Sequence, residues 1–204
     1  KEIHKSYYDS GSNIVNTNTF GANSLKFGTD ELSEIIYHAV KNADEARKAS
    51  SGKQEKFIAL DVGPTGKLLK PLGDLDFEDA VKAFAEVISL GVKYGVDLIT
   101  IETMNDSYET KAAVLAAKEN SDLPIIVTNA YGENGRLMTG ADPAVMAAML
   151  EGMGVDAIGA NCSLGPKQLM GVMDELLNYC SVPVAFKPNA GLPKSDGKVT
   201  YYDV

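Results

Sequence analysis

Six apolar runs of strand length, each turning polar at its carboxyl end, constrain this chain more than any other feature. They are NIVNTN (13–18), KFIALDV (56–62), VDLITIE (96–102), PIIVTNA (124–130), VDAIGAN (155–161) and VPVAFKP (182–188). Their starts lie 27 to 43 residues apart, the length of a strand plus a crossover helix, and strict alternation of that kind implies a parallel sheet. Three echoes mark the repeat: GSNIV, GVDLI and GVDAI each set a glycine, one residue and then Asn or Asp before a strand. The glycine closes a helix and the polar residue opens the strand.

Helical patterns fill the intervals. In DFEDAVKAFAEVISLGVKYG, Phe77, Val81, Phe84, Val87 or Ile88, and Val92 follow a three-to-four residue spacing, the pattern of an amphipathic helix. Asp76 is its expected cap and Gly95 its expected stop. The next helix is expected to open at Asp106, with Glu109 three residues on as in a capping box, and a later one at Asp142 followed by Pro143.

Two architectures accommodate this order, an open doubly wound sheet and a β/α barrel. The strand ends TNTFGAN, LDVGPTG, IETMND, VTNAYGE, GANCSLG and KPNAGLP are all polar, and in a barrel such ends surround one mouth where several strands meet a single substrate. The doubly wound alternative asks for a glycine-rich phosphate turn, and no G-x-G-x-x-G is present. The fold expected is therefore α/β, an incomplete (β/α)8 TIM barrel with six strands visible and residues 1–204 forming one partial barrel domain.

Charge narrows the partners. A net charge of −9 argues against a nucleic-acid or anionic-membrane surface and for a small molecule. No apolar run reaches the roughly 20 residues that span a bilayer, and KEIHKSYYDS lacks the apolar core of a signal peptide. Two cysteines in 204 residues do not make a disulfide framework. Reduced thiols and a cytoplasmic location are the expectation. The chain opens on Lys1 and closes with VTYYDV after a turn-like PKSDGK, with no recognisable final element. It reads as a piece of a longer polypeptide.

Cys162 ends the fifth strand, just before a helix expected from Pro166. Three readings compete there: a small inert core residue, a nucleophile with its pKa lowered by a helix N-terminus, and a metal ligand, for which one cysteine without a nearby Cys or His is thin support. Cys180, in LLNYCSVP, has no motif around it and reads as core. His4 and His38 fall in helix-like segments without matched partners and read as structural or exposed.

Taken together, TNTFGAN, DVGPTGKLLKPLG, ETMND, ENGRLMTGADP, GANCSLGP and FKPNAGLP resemble the homocysteine S-methyltransferase family over nearly the whole chain. Within the family they are most similar to the homocysteine-binding module of its cobalamin-dependent, methionine-forming branch. The resemblance implies a zinc-dependent barrel whose metal is held by three cysteines. On its motifs the first ligand falls on Cys162. The Gly-Gly-Cys-Cys pair that supplies the other two has no counterpart in these residues, so the six strands correspond to the second through seventh of eight.

The resemblance also implies the chemistry. A free thiol with a pKa near 8.5 is only a few per cent thiolate at neutral pH, and Zn²⁺ with an open position ionises it on binding. The methyl group would come from methylcobalamin on another module, recharged from methyltetrahydrofolate on a folate-binding one. No protein side chain need act as a catalytic acid, base or nucleophile. The partners implied are homocysteine and the cobalamin- and folate-binding modules of the same polypeptide or complex.

Family members use the glutamate matching Glu102 to bind the amino group of homocysteine, so Glu102 is taken as substrate-binding; its other reading is a capping or solvent-facing carboxylate. Asn189, in KPNAG, is ordinary turn chemistry by itself, and the motif sets it at the mouth near metal and substrate. Thr17, Thr19 and Phe20 match the family pattern, with Thr19 taken as a third substrate-binding residue, whereas Asn18 and Gly21 read as structural. Asp61, in DVGPTG, is either scaffold or a ligand contact.

Other functions stay open at this point. A stand-alone methyltransferase of the same family would use S-methylmethionine or betaine as donor. A metal-independent barrel lyase or aldolase would use a strand-end lysine such as Lys187 for Schiff-base chemistry. A fragment missing two strands would carry two exposed parallel edges, bind zinc weakly and show no turnover.

Overall fold

The computed structural model describes residues 1–191, 193–195 and 197–202. Leu192 of FKPNAGLP, Asp196 of PKSDGK and the final two residues of VTYYDV lie outside the described residues. In chain order the elements are α1 (Glu2–Asp9), β1 (Ile14–Asn16), α2 (Thr29–Ala49), β2 (Phe57–Val62), α3 (Phe77–Tyr94) and β3 (Leu98–Met104). There follow α4 (Ser107–Asn120), β4 (Ile125–Asn129), α5 (Pro143–Gly152), β5 (Ala157–Asn161), α6 (Pro166–Tyr179), β6 (Val184–Lys187), β7 (Pro193–Ser195) and β8 (Thr200–Tyr202).

All six expected strands form, in the sheet order β1-β2-β3-β4-β5-β6. Spatial order that follows chain order separates a barrel from a doubly wound sheet, which reverses direction at a switch point. The architecture is an incomplete TIM barrel of α/β class. The chain divides into two compact units, residues 1–101 with 112–125, and residues 102–111 with 126–204.

In the first unit β1 pairs β2, and β2 pairs β3, both parallel, with Val15 opposite Ile58 and Leu60 opposite Ile99. Ile58 and Leu60 share one face of β2, and Ile99 and Ile101 one face of β3; all four are fully buried, as are Ile36 of α2 and Ile88 of α3. Ala59 and Leu98, of the opposite parity, are buried too, so the strands carry apolar side chains on both faces. Gly91 lets α3 approach: a Cβ there would stand 2.5 Å from a Leu60 methyl. Gly95 ends α3 with φ 91°, its N–H donating to Gly91 O. Asp76 occupies the N-cap position as expected, but its carboxylate pairs with Lys70 (2.9 Å) and caps no helix N–H.

In the second unit β4 pairs β5 and β5 pairs β6, again parallel. Asp106 caps α4, its Oδ1 accepting the Tyr108 N–H at 2.9 Å. Asp142 caps α5 through the Val145 N–H at 3.0 Å, with Pro143 in the first turn. Two expectations are corrected here. Cys180 is a half-buried helix end after α6, outside the core, because its strand-side neighbours are themselves partly exposed. PKSDGK and VTYY contribute a short antiparallel pair, β7 with β8, that the sequence hides because all six of its residues are exposed and leave no apolar period.

Candidate functional site

The site residues of the second unit stand at the carboxyl ends of β3, β5 and β6, where the apolar pattern that buries each strand gives way to polar side chains. Glu102 lies on β3 two residues before its end, with a side chain 18% exposed, and Lys187 Nζ of β6 donates to its Oε2 at 2.5 Å. Lys187 is 43% exposed. Schiff-base chemistry asks for a desolvated amine, so an exposed lysine held by a carboxylate does not support the lyase reading.

Cys162 follows β5 in a left-handed backbone conformation, φ 62°, and Ser163 repeats it at φ 59°. Thr103, next to Glu102, has φ 60°. Left-handed geometry is uncommon for any residue with a Cβ and an outlier for a β-branched one. Three such residues at the ends of β3 and β5 mark the kind of place where a fold holds strain for function.

Hydrogen bonds from the sixth strand end hold the thiol segment. The Cys162 N–H donates to Lys187 O (3.1 Å), the Leu164 N–H to Cys162 O (2.7 Å) and the Asn189 N–H to Leu164 O (3.0 Å). GANCSLGP and KPNAG are thus laced together through their backbones, with Asn189 half-buried at this end of the unit. Their closeness needs glycine: a Cβ on Gly165 would meet Gly191 Cα at 2.8 Å.

A cleft of about 580 Å³ opens beside the thiol, lined among others by Thr103, Asn105, Arg136, Met138, Cys162 and Ser163. Its far wall is the ENGRLMTGADP segment, pinned to the end of β3 by the Met138 N–H on Asn105 O (2.9 Å) and by Thr139 Oγ1 on Asp106 Oδ1 (3.0 Å). Below it, buried Asn129 donates to Met104 O and to Thr110 Oγ1, both at 3.1 Å. Burial pushes the Tyr131 phenol well above its ordinary value, and burial and the Glu151 charge push the Cys180 thiol up.

Thr19 belongs to the first unit. Its hydroxyl donates to Asp61 O (2.7 Å) and lies 2.7 Å from Thr17 Oγ1, which accepts the Asp61 N–H at 3.0 Å. Both threonines are almost fully buried, so TNTF and DVGP form one hydrogen-bonded corner. Gly63 closes it, since a Cβ there would stand 2.6 Å from the Phe20 ring and carbonyl. Of the four residues singled out from sequence, the second unit gathers Glu102, Cys162 and Asn189, and Thr19 shapes a strand end of the other. Asn161, which contacts Thr103, was not among them, its only signal being the polar end of β5, and Lys187, which contacts Glu102, was named only as a Schiff-base candidate and not as a partner of that carboxylate.

Among the described residues no group of three His, Cys, Asp or Glu lies together. Cys162, half-buried beside a cleft, suits one position of a tetrahedral thiolate site. These residues alone do not compose the whole donor set.

A family model described as homocysteine S-methyltransferase matches residues 1–204. Methionine synthases of Mycobacterium leprae (strain TN) and Mycobacterium tuberculosis (strain ATCC 25618 / H37Rv) are each 29% identical to the chain, over 213 and 210 residues that cover 98% of it. The chain spans 17% and 18% of the lengths of those relatives. Among solved structures, the metallated form of the homocysteine methyltransferase MmuM from Escherichia coli matches with a TM-score of 0.82 at 20% identity, over 93% of this chain and 71% of that one. An old yellow enzyme homologue from Zymomonas mobilis matches with a TM-score of 0.56 at 14% identity, over 93% and 72%. At such identities these two likenesses are of fold.

Proposed function

The chain belongs to the homocysteine S-methyltransferase family, and from that premise we propose that it is the homocysteine-binding part of a methionine-forming methyltransferase. The observation that carries the proposal is the gathering of a half-buried carboxylate, a thiol and a carboxamide at three strand ends of one unit: Glu102, Cys162 and Asn189. An amino acid with a thiol side chain offers complementary groups. Its ammonium meets Glu102 by a charge-assisted hydrogen bond, taking over the role that Lys187 Nζ fills. Asn189 offers both a donor and an acceptor to the polar end of the substrate.

Cys162 is proposed as one ligand of a zinc ion whose other ligands lie outside the donor set described above. When bound, that ion supplies Lewis acidity that ionises the substrate thiol. The chain's own residues orient the amino acid and shield its sulfur, while Thr19 braces the TNTF corner that the first unit contributes to the family pattern. Methylcobalamin on another module is the proposed methyl donor, with a folate-binding module to recharge it; methionine synthase relatives five to six times longer than this chain support that setting. Residues 1–204 are read as part of one barrel domain, and free thiols at Cys162 and Cys180 suit a reducing, cytoplasmic location.

Calorimetric titration with L-homocysteine tests the proposal. Saturable one-site binding is expected, with Glu102→Gln weakening it by about tenfold or more, as befits loss of a charged hydrogen bond. No binding to the unaltered chain, or equal binding by Glu102→Gln, refutes it.

A further inference from the structure

Asn161 closes β5 one residue before the thiol. It is 5% exposed, and both ends of its carboxamide are spent on a single residue of another strand. Oδ1 accepts the backbone N–H of Thr103 at 2.9 Å, and Nδ2 donates to Thr103 Oγ1 at 2.7 Å. β3 and β5 are not sheet neighbours, because β4 lies between them. The pair therefore bridges over a strand, which no ladder hydrogen bond does.

What it joins is specific. The N–H that Asn161 captures belongs to the peptide between Glu102 and Thr103, and the next residue after Asn161 is Cys162. One buried carboxamide thus ties the backbone that carries the candidate substrate carboxylate to the backbone that carries the candidate ligand thiol. Both flanks are held in left-handed geometry, Thr103 at φ 60° and Cys162 at φ 62°, which residues with a Cβ adopt only under constraint.

We propose that Asn161 is a positioning residue for homocysteine binding: by holding Thr103 left-handed it sets the Glu102 carboxylate against the Cys162 sulfur. The inference rests on the function proposed above, and its test separates the two. Four forms of the chain are compared, each with Cys180→Ala so that Cys162 is the single thiol: the parent, Asn161→Ala, Thr103→Gly, and both together. Homocysteine affinity is read by calorimetry, and Cys162 alkylation by iodoacetamide is read as a rate without substrate. Asn161→Ala is expected to weaken homocysteine about tenfold and to change the alkylation rate several-fold. Adding Thr103→Gly restores most of both, because glycine takes a positive φ without help.

A double variant no better than Asn161→Ala overturns the inference, since lost packing alone is not repaired by a second truncation. So does an Asn161→Ala chain with parental affinity and alkylation rate. A parent that fails to bind homocysteine removes the functional reading instead, and the alkylation rates then decide on positioning: altered and restored upholds it, unaltered overturns it. Should Asn161→Ala not fold, Thr103→Ala cuts only the Nδ2 bond, and an unchanged affinity and alkylation rate in that variant overturns the inference.

Discussion

Lys187 Nζ sits 2.5 Å from Glu102 Oε2, across 85 positions of sequence. The carboxylate proposed to receive a substrate ammonium is thus occupied by a protein ammonium, and the two compete. Lys187→Met is expected to tighten homocysteine binding by up to about fivefold, the upper range for a partly exposed ion pair, and to make it less sensitive to salt. Calorimetry at two ionic strengths checks this. Weaker binding in Lys187→Met would show that Lys187 assists the substrate.

Cys162 is expected to be the thiol that a metal ion finds. With Co²⁺ as the probe, the chain should develop a thiolate-to-metal charge-transfer absorption that disappears in Cys162→Ala and survives in Cys180→Ala, whose thiol is pushed up by burial and Glu151 and is harder to ionise. Equal absorption in Cys162→Ala contradicts the assignment.

Gly159 is expected to be intolerant of any side chain. It pairs with Ala185 across β5 and β6, and a Cβ there would fall 1.8 Å from Ala185 O and 2.6 Å from its carbonyl carbon. Backbone cannot yield as a flexible side chain does, so Gly159→Ala should cost about 3 kcal/mol or more, at or above the usual range for overpacking. Urea unfolding of the two forms measures it.

Tyr8 makes the fold sensitive to alkali. Its hydroxyl donates to Phe57 O at 2.8 Å, and burial first, then the nearby Asp97 and Asp44 against the opposing Arg47, pushes its pKa up from 10.0 to about 12. The folded state holds this proton more tightly than the unfolded state does. Its contribution is whole below pH about 10 and is lost as pH rises through about 12. Tyr8→Phe should lower stability by about 1 kcal/mol at neutral pH through loss of the hydrogen bond, and should flatten the decline between pH 10 and 12. A parallel decline in both forms refutes the assignment.

Much of the architecture was legible along the chain, and the places where it was not share a cause. The six strands and the opening of α4 and α5 were readable because apolar runs of strand length, a helical period of about 3.6 residues, and caps two or three residues from their targets are local. Asp76 was rightly placed at a helix start, yet its carboxylate went to Lys70, a choice between two nearby partners that spacing does not decide. The β7–β8 pair was invisible because exposed strands need no apolar face. Cys162, Glu102 and Asn189 were recognisable as motif residues, whereas Asn161 stood in the same GANC motif without a visible task.

Residue order alone determined that this chain alternates strands with helices, that every strand ends in polar chemistry, and that a homocysteine-type motif set runs along it. Only the tertiary structure decided that Lys187 reaches Glu102, that Asn161 grips Thr103 over an intervening strand, and that Thr103, Cys162 and Ser163 are held left-handed. The division has a physical basis. Periodicity and capping act within a few residues, but a hydrogen bond between positions 58 or 85 apart exists only after the sheet has brought its strand ends together.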